Sequence, residues 1–204
     1  GNSLMLASMV KEFGGIPKIL PIASDNELDI YNILNSSTDC DLIITTGGVS
    51  VGKYDLIQKA LENFSRNKTE FWKIAMRPGK PLLFSKINKT PLIGLPGNPV
   101  SSGVCCLIFV NIAIRSMLGD TNEFPIFENA TLNGELSQND QRFDFVRANI
   151  NYRSGNAYVT PITKQDSSMI TKFSYSDCLI TREPFDKIKS DGDIVKIFKF
   201  PNNI

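Results

Sequence analysis

Hydrophobic positions in the first 120 residues alternate between a helical period and short continuous runs. Apolar residues recur at helical spacing from Leu6 to Phe13, where a Gly14-Gly15 pair ends the pattern, and this spacing predicts an amphipathic helix. A capping box, Ser24-x-x-Glu27, predicts a second helix that begins at Ser24. Its expected inward residues are Leu28, Tyr31 and Leu34. Two further helices are predicted over residues 55–63 and 100–118.

Short apolar runs bounded by turn residues predict the strands of this part of the chain. The run 41–46 is apolar and rich in β-branched residues, which is typical of a strand buried on both faces of a parallel sheet. The predicted strands are residues 16–22, 41–46, 71–75, 82–87 and 91–95. Helices and strands in alternation indicate an α/β domain.

The pattern changes after Gly119, where the helical period gives way to short alternating runs. These runs predict strands over residues 130–136, 143–152, 157–162, 178–182 and 194–200. Strands at this spacing are typical of a small sandwich or barrel. We therefore expect an α/β domain over residues 1–122 and an all-β domain over residues 123–204, with the boundary near 119–125.

Composition and charge exclude several classes of protein. Hydrophobic residues make up 42% of the 204 and charged residues 21%, with a net charge of +1, so the chain is neither disordered nor collagen-like. The first 122 residues hold 12 cationic and 10 acidic side chains and the remainder 10 and 11, without the positive excess that nucleic-acid binding uses. We find no run of the ~18 apolar residues that a membrane span needs and no basic flank of a signal peptide. We expect a cytoplasmic protein that binds neither nucleic acid nor membrane.

The chain contains no histidine. A histidine general base, a Ser-His-Asp triad and a histidine metal ligand are therefore excluded. The four cysteines, Cys40, Cys105, Cys106 and Cys178, include no C-x-x-C pair. That spacing predicts buried free thiols rather than a zinc site or a disulfide framework.

A glycine-rich loop, Gly47-Gly-Val-Ser-Val-Gly52, stands between a predicted strand and a predicted helix. Open α/β sheets bind ligands at this position, and free N–H groups at a helix start attract anions. The alternative is a tight turn without a ligand. The loop also matches a P-loop as far as Lys53, but Tyr54 stands where Mg²⁺ binding needs Ser or Thr. A P-loop nucleotide binder is thus a rival interpretation, and we expect no ATPase or GTPase activity.

Two further polar loops follow predicted strands. Arg77-Pro-Gly-Lys80-Pro81 offers two cations, which could clamp an oxyanion or simply form a solvated basic turn. In the segment 95–101, Asn98 suits a helix cap and Pro99 a first helical turn. Since all three loops follow strands, we expect Ser50, Lys80 and Ser101 to line one pocket at the carboxyl edge of the sheet.

Taken together, residues 41–52, 71–81 and 94–101 resemble the MoeA family of molybdenum-cofactor biosynthesis, whose relatives include the E domain of gephyrin. Their order and spacing agree with the family, as do Asn2-x-x-Met5 to Gly14, Arg142–Arg147 and the segment 165–168. The similarity covers about the whole chain. It implies a three-layer αβα molybdopterin-binding domain of the MogA and MoaB type, followed by a small β-barrel or sandwich.

The resemblance also implies a reaction and its site. Members of the family insert molybdate into adenylylated molybdopterin, so the expected partners are small-molecule substrates. By position, the implied molybdate-binding residues are Lys80, Pro81, Ser101, Arg147 and Ser167. The implied molybdopterin-binding residues are Gly47, Gly48, Ser50, Gly52, Asp55, Gly97 and Asn98.

The resemblance implies Mg²⁺ as cofactor, a homodimer, and a molybdopterin adenylyltransferase as a further partner. The family carries a carboxylate where this chain has Lys53, and a protonated lysine cannot ligate Mg²⁺, so the sequence assigns no metal ligand. Family members are about twice this length. We therefore expect the C-terminal half of a molybdopterin molybdenumtransferase, inactive alone. The alternative is a non-catalytic molybdopterin-binding or scaffold protein.

Strand alternation predicts on which face of its strand Arg147 lies. In a regular strand Phe143, Phe145 and Arg147 share one face, while Asp144 points away and cannot neutralise Arg147. A buried arginine needs an anionic partner, because an unpaired buried charge costs several kcal/mol. The alternative is that the Arg147 guanidinium extends to solvent.

Overall fold

The structure is a computed structural model that describes residues 1–48, 56–65, 71–121, 125–162, 165 and 173–201. A four-stranded sheet forms the centre of the first domain. Its strands are β1 (Ile43–Thr46), β2 (Phe71–Trp72), β4 (Leu83–Ile87) and β5 (Thr90–Leu95), in the order β1-β5-β4-β2. β1 runs parallel to β5, whereas β4 is antiparallel to both β5 and β2. The carboxyl ends of β1, β5 and β2 therefore meet the start of β4 at one edge.

Helices cover both faces of this sheet. On one face α1 (Asn2–Glu12) packs against a long helix made of α4 (Pro99–Cys105), a π-helical turn (Cys106–Val110) and α5 (Asn111–Met117). On the other face lie α2 (Glu27–Asn35), α3 (Leu56–Ala60) and a second π-helical turn (Leu61–Ser65). The neighbours Leu92 and Ile93 belong to different apolar clusters, because successive strand residues face opposite ways. The predicted three-layer α/β/α domain is confirmed.

The second domain is a barrel of five strands. They are β6 (Glu128–Leu132), β7 (Phe143–Arg153), β8 (Asn156–Pro161), β9 (Cys178–Arg182) and β10 (Ile194–Lys199). The order is β7-β8-β6-β10-β9, and β9 pairs back onto β7 to close the barrel. Alternate side chains such as Val146, Ala148 and Ile180 fill its interior. The small all-β domain is thus a barrel, and the proposed boundary between residues 122 and 123 stays a prediction.

The strand predicted over residues 16–22 is wrong. These residues form no strand, and Ile16 and Ile22 are 98% and 99% exposed. Pro17 and Pro21 lack the N–H that a ladder needs, and no described strand runs beside them. The prediction relied on the apolar content of residues 16–22, but a strand also needs a neighbouring strand to pair with.

The predicted start of the second helix is also wrong. α2 begins at Glu27, and its cap is Asn26, whose side chain accepts from the N–H groups of Leu28 (2.9 Å) and Asp29 (3.2 Å). Ser24 instead donates its hydroxyl to Asp29, at 2.6 Å. Ile30 and Leu34 are buried and Tyr31 packs partly buried against the same cluster, whereas Leu28, expected inside, is half-exposed.

Of the strand predicted over residues 71–75, only residues 71 and 72 are strand. Only β2 joins the first sheet, while Met76–Arg77 forms β3, which runs parallel to the start of β7. Lys73 has a φ of 71°, and this left-handed conformation ends the first piece. β3 is therefore an element of the first domain that belongs to the sheet of the second.

The helix from Pro99 to Met117 is long and apolar enough, by length and composition, to cross a membrane. The sequence analysis expected no such stretch. In the structure 67% of its apolar 18-residue stretch is buried inside the protein, which is the burial of a core helix.

All four cysteines are free. Cys105, Cys106 and Cys178 are buried as predicted, while Cys40 is half-buried. Burial raises the pKa of Cys106 and of Cys178 to about 12. These thiols are therefore packing groups and not nucleophiles.

Candidate functional site

Three loops meet at the edge where β1, β5 and β2 end. Gly47 and Gly48 follow β1, and the segment 96–98 follows β5. The segment 78–82 leads into β4, whose first residue, Leu83, lies opposite Gly94 near the end of β5. Lys80 and Leu82 accept from the N–H groups of Ile74 and Lys73. The fold thus brings the three predicted loops to one edge.

Glycine allows the first two loops to touch. Gly47 has a φ of 84° and Gly48 of 70°, a region that other residues rarely adopt. The Gly47 N–H donates to Leu95 O at 3.1 Å. A Cβ added to Gly97 would lie 3.4 Å from the Gly47 Cα, an ordinary van der Waals distance, so the two loops lie side by side. Backbone N–H groups in such loops can approach a phosphate closely.

Asn2 joins the start of α1 to this edge. Its Nδ2 donates one hydrogen to Thr46 Oγ1 (2.8 Å) and the other to Gly97 O (2.9 Å). The Thr46 hydroxyl donates in turn to Pro96 O at 3.1 Å and lies 3.3 Å from Ser102 Oγ. The sequence analysis missed Thr46 and Ser102. A signal was present, because a hydroxyl at the end of an apolar strand or in an apolar helix needs a partner.

The long helix also begins at this edge. Asn98 accepts from the Ser101 N–H at 3.1 Å, and Pro99 occupies the first turn, as the sequence predicts. Ser101 is 7% exposed. The N–H groups of this helix start carry a partial positive charge, and they face the loop that holds Gly97.

Lys80 lies in a cleft between the two domains. A cavity of about 270 Å³ is lined by Ile74, Ala75, Lys80, Gln141 and Arg142. Gly79 holds the turn close to the long helix, since its φ is 113° and an added Cβ would come 2.4 Å from Cys105 Sγ. Lys80 is exposed in this cleft, while Pro81 is half-buried. The barrel contributes Arg142 here, a residue that the sequence analysis did not assign to the site.

Arg147 is buried where the barrel meets the first domain. It is 1% exposed, so the alternative of a solvent-exposed guanidinium is wrong. Phe143 and Phe145 lie 5.0 Å apart, ring to ring, and pack with the helices of the first domain. Gln165 accepts from Arg147 through the backbone N–H (3.0 Å) and Nε (3.3 Å). The anionic partner expected for Arg147 stays a prediction.

Arg77 is the second cation of the loop that carries Lys80. It donates to Asp144 and Asp140 of the barrel, an arrangement that neither the oxyanion clamp nor the solvated turn anticipated. Asp144 therefore pairs with Arg77 and not with Arg147, as strand alternation requires.

Several predicted site residues lie outside the described part of the chain. They are Ser50, Gly52, Asp55 and Ser167, and Lys53 lies there too. Among the residues that the structure does describe, no group of three or more His, Cys, Asp or Glu side chains could hold a metal ion. Mg²⁺ as cofactor therefore stays a prediction.

The fold and the loops at the carboxyl edge of the first sheet together define a class of protein. It is a three-layer domain with glycine-rich loops at the carboxyl ends of its strands, followed by a closed five-stranded barrel. Residues 1–116 match the family described as "Probable molybdopterin binding domain", and residues 129–200 match "MoeA C-terminal region (domain IV)". The chain belongs to the MoeA family.

Individual relatives agree with this assignment. The chain is 33% identical over 159 residues to molybdopterin molybdenumtransferase 2 of Mycobacterium tuberculosis, covering 76% of this chain and 39% of that protein. It is 34% identical over 185 residues to molybdopterin molybdenumtransferase of Haemophilus influenzae, and this match covers 89% of this chain and 45% of that protein. The chain thus spans less than half the length of these curated relatives.

Solved structures share the fold. A MoeA protein from Pyrococcus horikoshii superposes with a TM-score of 0.79 at 22% identity, over 98% of this chain and 47% of that one. A molybdenum cofactor biosynthesis protein from Pyrococcus furiosus superposes with a TM-score of 0.75 at 23% identity, over 98% of this chain and 64% of that one.

Proposed function

We propose that this chain is the molybdopterin- and molybdate-binding half of a molybdopterin molybdenumtransferase. In that reaction adenylylated molybdopterin and molybdate are the substrates, the adenylate is released, and molybdenum stays on the dithiolene of the pterin. The observation that carries the proposal is the arrangement of three loops at one edge of the sheet, beside the junction with the barrel. Asn2 joins the two loops at the ends of β1 and β5. The match of residues 1–116 to a molybdopterin-binding family includes the glycine loop, so a P-loop function is not proposed.

The glycine loops are the proposed binding site for the phosphate of molybdopterin. Gly47, Gly48 and Gly97 allow close backbone approach, and Asn98 caps the helix whose N–H groups face this edge. A phosphate at such a position gains from both the N–H groups and the helix dipole. Ser50, Gly52 and Asp55 complete the proposed set from the sequence.

The junction of the domains is the proposed molybdate site. Molybdate is a tetrahedral dianion, which suits cationic and hydroxyl donors. Lys80 lines the interdomain cavity, Ser101 lies in the first turn of the long helix, and Arg147 is buried in the barrel face that meets that helix. Pro81 and Ser167 complete the proposed set.

The segment that joins Arg147 to the long helix supports this grouping. Gln165 bonds to Arg147, and eight residues later Phe173 packs against Gly103, two residues after Ser101. Gln165 and Phe173 thus link the residues around this segment to Arg147 and to the helix of Ser101, which supports the proposal of Ser167 from the sequence.

Further elements of the proposal concern the whole protein. The family resemblance supports a cytoplasmic homodimer that uses Mg²⁺ and receives its substrate from a molybdopterin adenylyltransferase. No step is assigned to Mg²⁺, because the described side chains form no group of three or more metal ligands.

Lys53 favours a second candidate function. Where the family has a carboxylate, a protonated lysine cannot ligate Mg²⁺, which suits a non-catalytic molybdopterin-binding or scaffold protein. Expression of the full-length protein in a strain that lacks its own molybdopterin molybdenumtransferase separates the two. We expect molybdoenzyme activity to return. No rescue by a folded protein that binds molybdopterin would favour the scaffold.

Calorimetry with molybdate tests the oxyanion site. Each lost charge-assisted contact removes about 1.5–3 kcal/mol, so Lys80→Ala and Arg147→Ala should weaken binding roughly 10- to 150-fold. The matched control is Lys86→Ala, an exposed lysine on β4, which should bind like the wild type. Equal affinities for the wild type and both site variants would refute the assignment.

A further inference from the structure

We infer that Arg77 is a positioning residue that fixes the two halves of the proposed oxyanion site relative to each other. The inference rests on the proposed function. Arg77 does not itself bind the anion. It fastens the loop of Lys80 to the strand of Arg147.

The guanidinium of Arg77 is held entirely by side chains of the barrel. Its Nε donates to Asp144 Oδ1 at 3.1 Å and its Nη2 to the other oxygen of the same carboxylate. Nη1 donates to Asp140 Oδ2 at 3.2 Å, and Nη2 also approaches Asn139 Oδ1 at 3.4 Å. A two-point contact between a guanidinium and a carboxylate fixes orientation as well as distance.

The backbone continues the same connection. Met76 and Arg77 pair in parallel with Phe143 and Asp144, and the Phe143 N–H donates to Ala75 O at 2.9 Å. Arg77 lies three residues before Lys80, and Asp144 lies three residues before Arg147. A small shift at this ion pair is therefore passed directly to both proposed anion ligands.

Charge explains why Arg77 is unavailable as a ligand. Hydrogen bonds from Arg142, with the charges of Arg142 and Arg77, hold the pKa of Asp140 at about 2, so that carboxylate is ionised at any working pH. Asp144 is mostly buried beside Arg77, at 12% side-chain exposure. The two arginines and two carboxylates of this cluster cancel, which leaves Lys80 as the net positive charge lining the cavity.

Loss of Arg77 would change both geometry and charge, and a double variant separates these effects. Arg77→Gln leaves an excess carboxylate near the anion, whereas Arg77→Gln with Asp144→Asn restores neutrality without restoring the ion pair. If Arg77 acts by position, both variants bind molybdate at least tenfold more weakly than the wild type. Arg77→Lys keeps the charge but makes only a point contact. Its affinity for molybdate should lie between that of these two variants and that of the wild type. Recovery of affinity in the double variant would show a charge effect only and would overturn the inference.

The matched control is Arg115→Gln, because Arg115 pairs with Asp120 and both residues precede the barrel. Its affinity should stay within about twofold of the wild type. Cooperative unfolding shows that the Arg77→Gln protein is folded. If this folded variant binds molybdate as tightly as the wild type, the inference is refuted.

Distance measurements test the positioning without any ligand. Spin labels at Lys89→Cys and Lys196→Cys, both exposed and one in each domain, report the relation between the domains in a Cys40→Ser background. We expect a broader distance distribution for Arg77→Gln and an unchanged one for Arg115→Gln. An unchanged distribution for Arg77→Gln would contradict the inference. If the wild type binds no molybdate, the proposed oxyanion site fails, while this experiment still decides whether Arg77 positions the domains.

Discussion

The contact between Gly103 and Phe173 predicts how the long helix responds to a single methyl group. A Cβ at Gly103 would lie 2.6 Å from Phe173 Cε1 and 2.8 Å from its Cζ, closer than real Cβ contacts occur. The Phe173 ring is 5% exposed and lies 5.6 Å from the ring of Phe200, so it has little room to move. Helix propensity favours alanine by about 1 kcal/mol, whereas overpacking a buried site costs about 1–3 kcal/mol. We expect Gly103→Ala to destabilise the protein by about 1 kcal/mol.

Urea unfolding of a double-mutant cycle measures the two effects separately. Phe173→Leu removes the ring atoms that the new methyl group would meet. In that background Gly103→Ala should become neutral or stabilising by up to about 1 kcal/mol. If Gly103→Ala stabilises both backgrounds equally, the close packing of Phe173 on the helix does not limit this position and the reasoning is wrong.

Three further predictions concern the cap, the thiols and the acidic cluster. Asn98→Ala should lower the free energy of unfolding by about 1 kcal/mol, because the Ser101 N–H loses its acceptor, while Asn98→Asp should not. A thiol reagent at pH 8 should modify Cys40 first and Cys106 only on unfolding, since burial shields Cys106 and raises its pKa to about 12. The pKa of Asp140 is lowered from 3.8 to about 2, so its contribution to stability is present above pH 4 and lost toward pH 2. Urea midpoints between pH 2 and 5 should show this loss in the wild type and less of it in Asp140→Asn.

The barrel strands were predictable because strand alternation is a local property. β9 has the bounds predicted for it, residues 178–182, and its alternating side chains divide between the barrel interior and the contact with the first domain. Glycine loops were predictable for a related reason. Only glycine readily adopts the φ of Gly47 and Gly79, so those residues mark sharp turns in any context.

Errors arose where the outcome depended on a partner that the local pattern does not indicate. Residues 16–22 have strand-like composition, but a strand also needs a neighbour to pair with. Ser24 and Asn26 are both good caps, and the competing bond from Ser24 to Asp29 left Asn26 to cap the helix. In the site, Arg77 and Asp144 are 67 residues apart, and no local pattern indicates that they meet.

The two domains share one hydrophobic core, and this bears on how the proposed site works. Phe145, Leu179 and Phe198 of the barrel belong to the same apolar cluster as Leu6 and Val104 of the α/β domain. Separating the domains would expose that cluster to water at about 25 cal/mol per Å² of apolar surface. The barrel therefore stays packed against the α/β domain before any ligand arrives, with Arg147 already buried at the junction. An oxyanion that enters this junction would meet donors held in place by the fold, which lowers the entropy lost on binding.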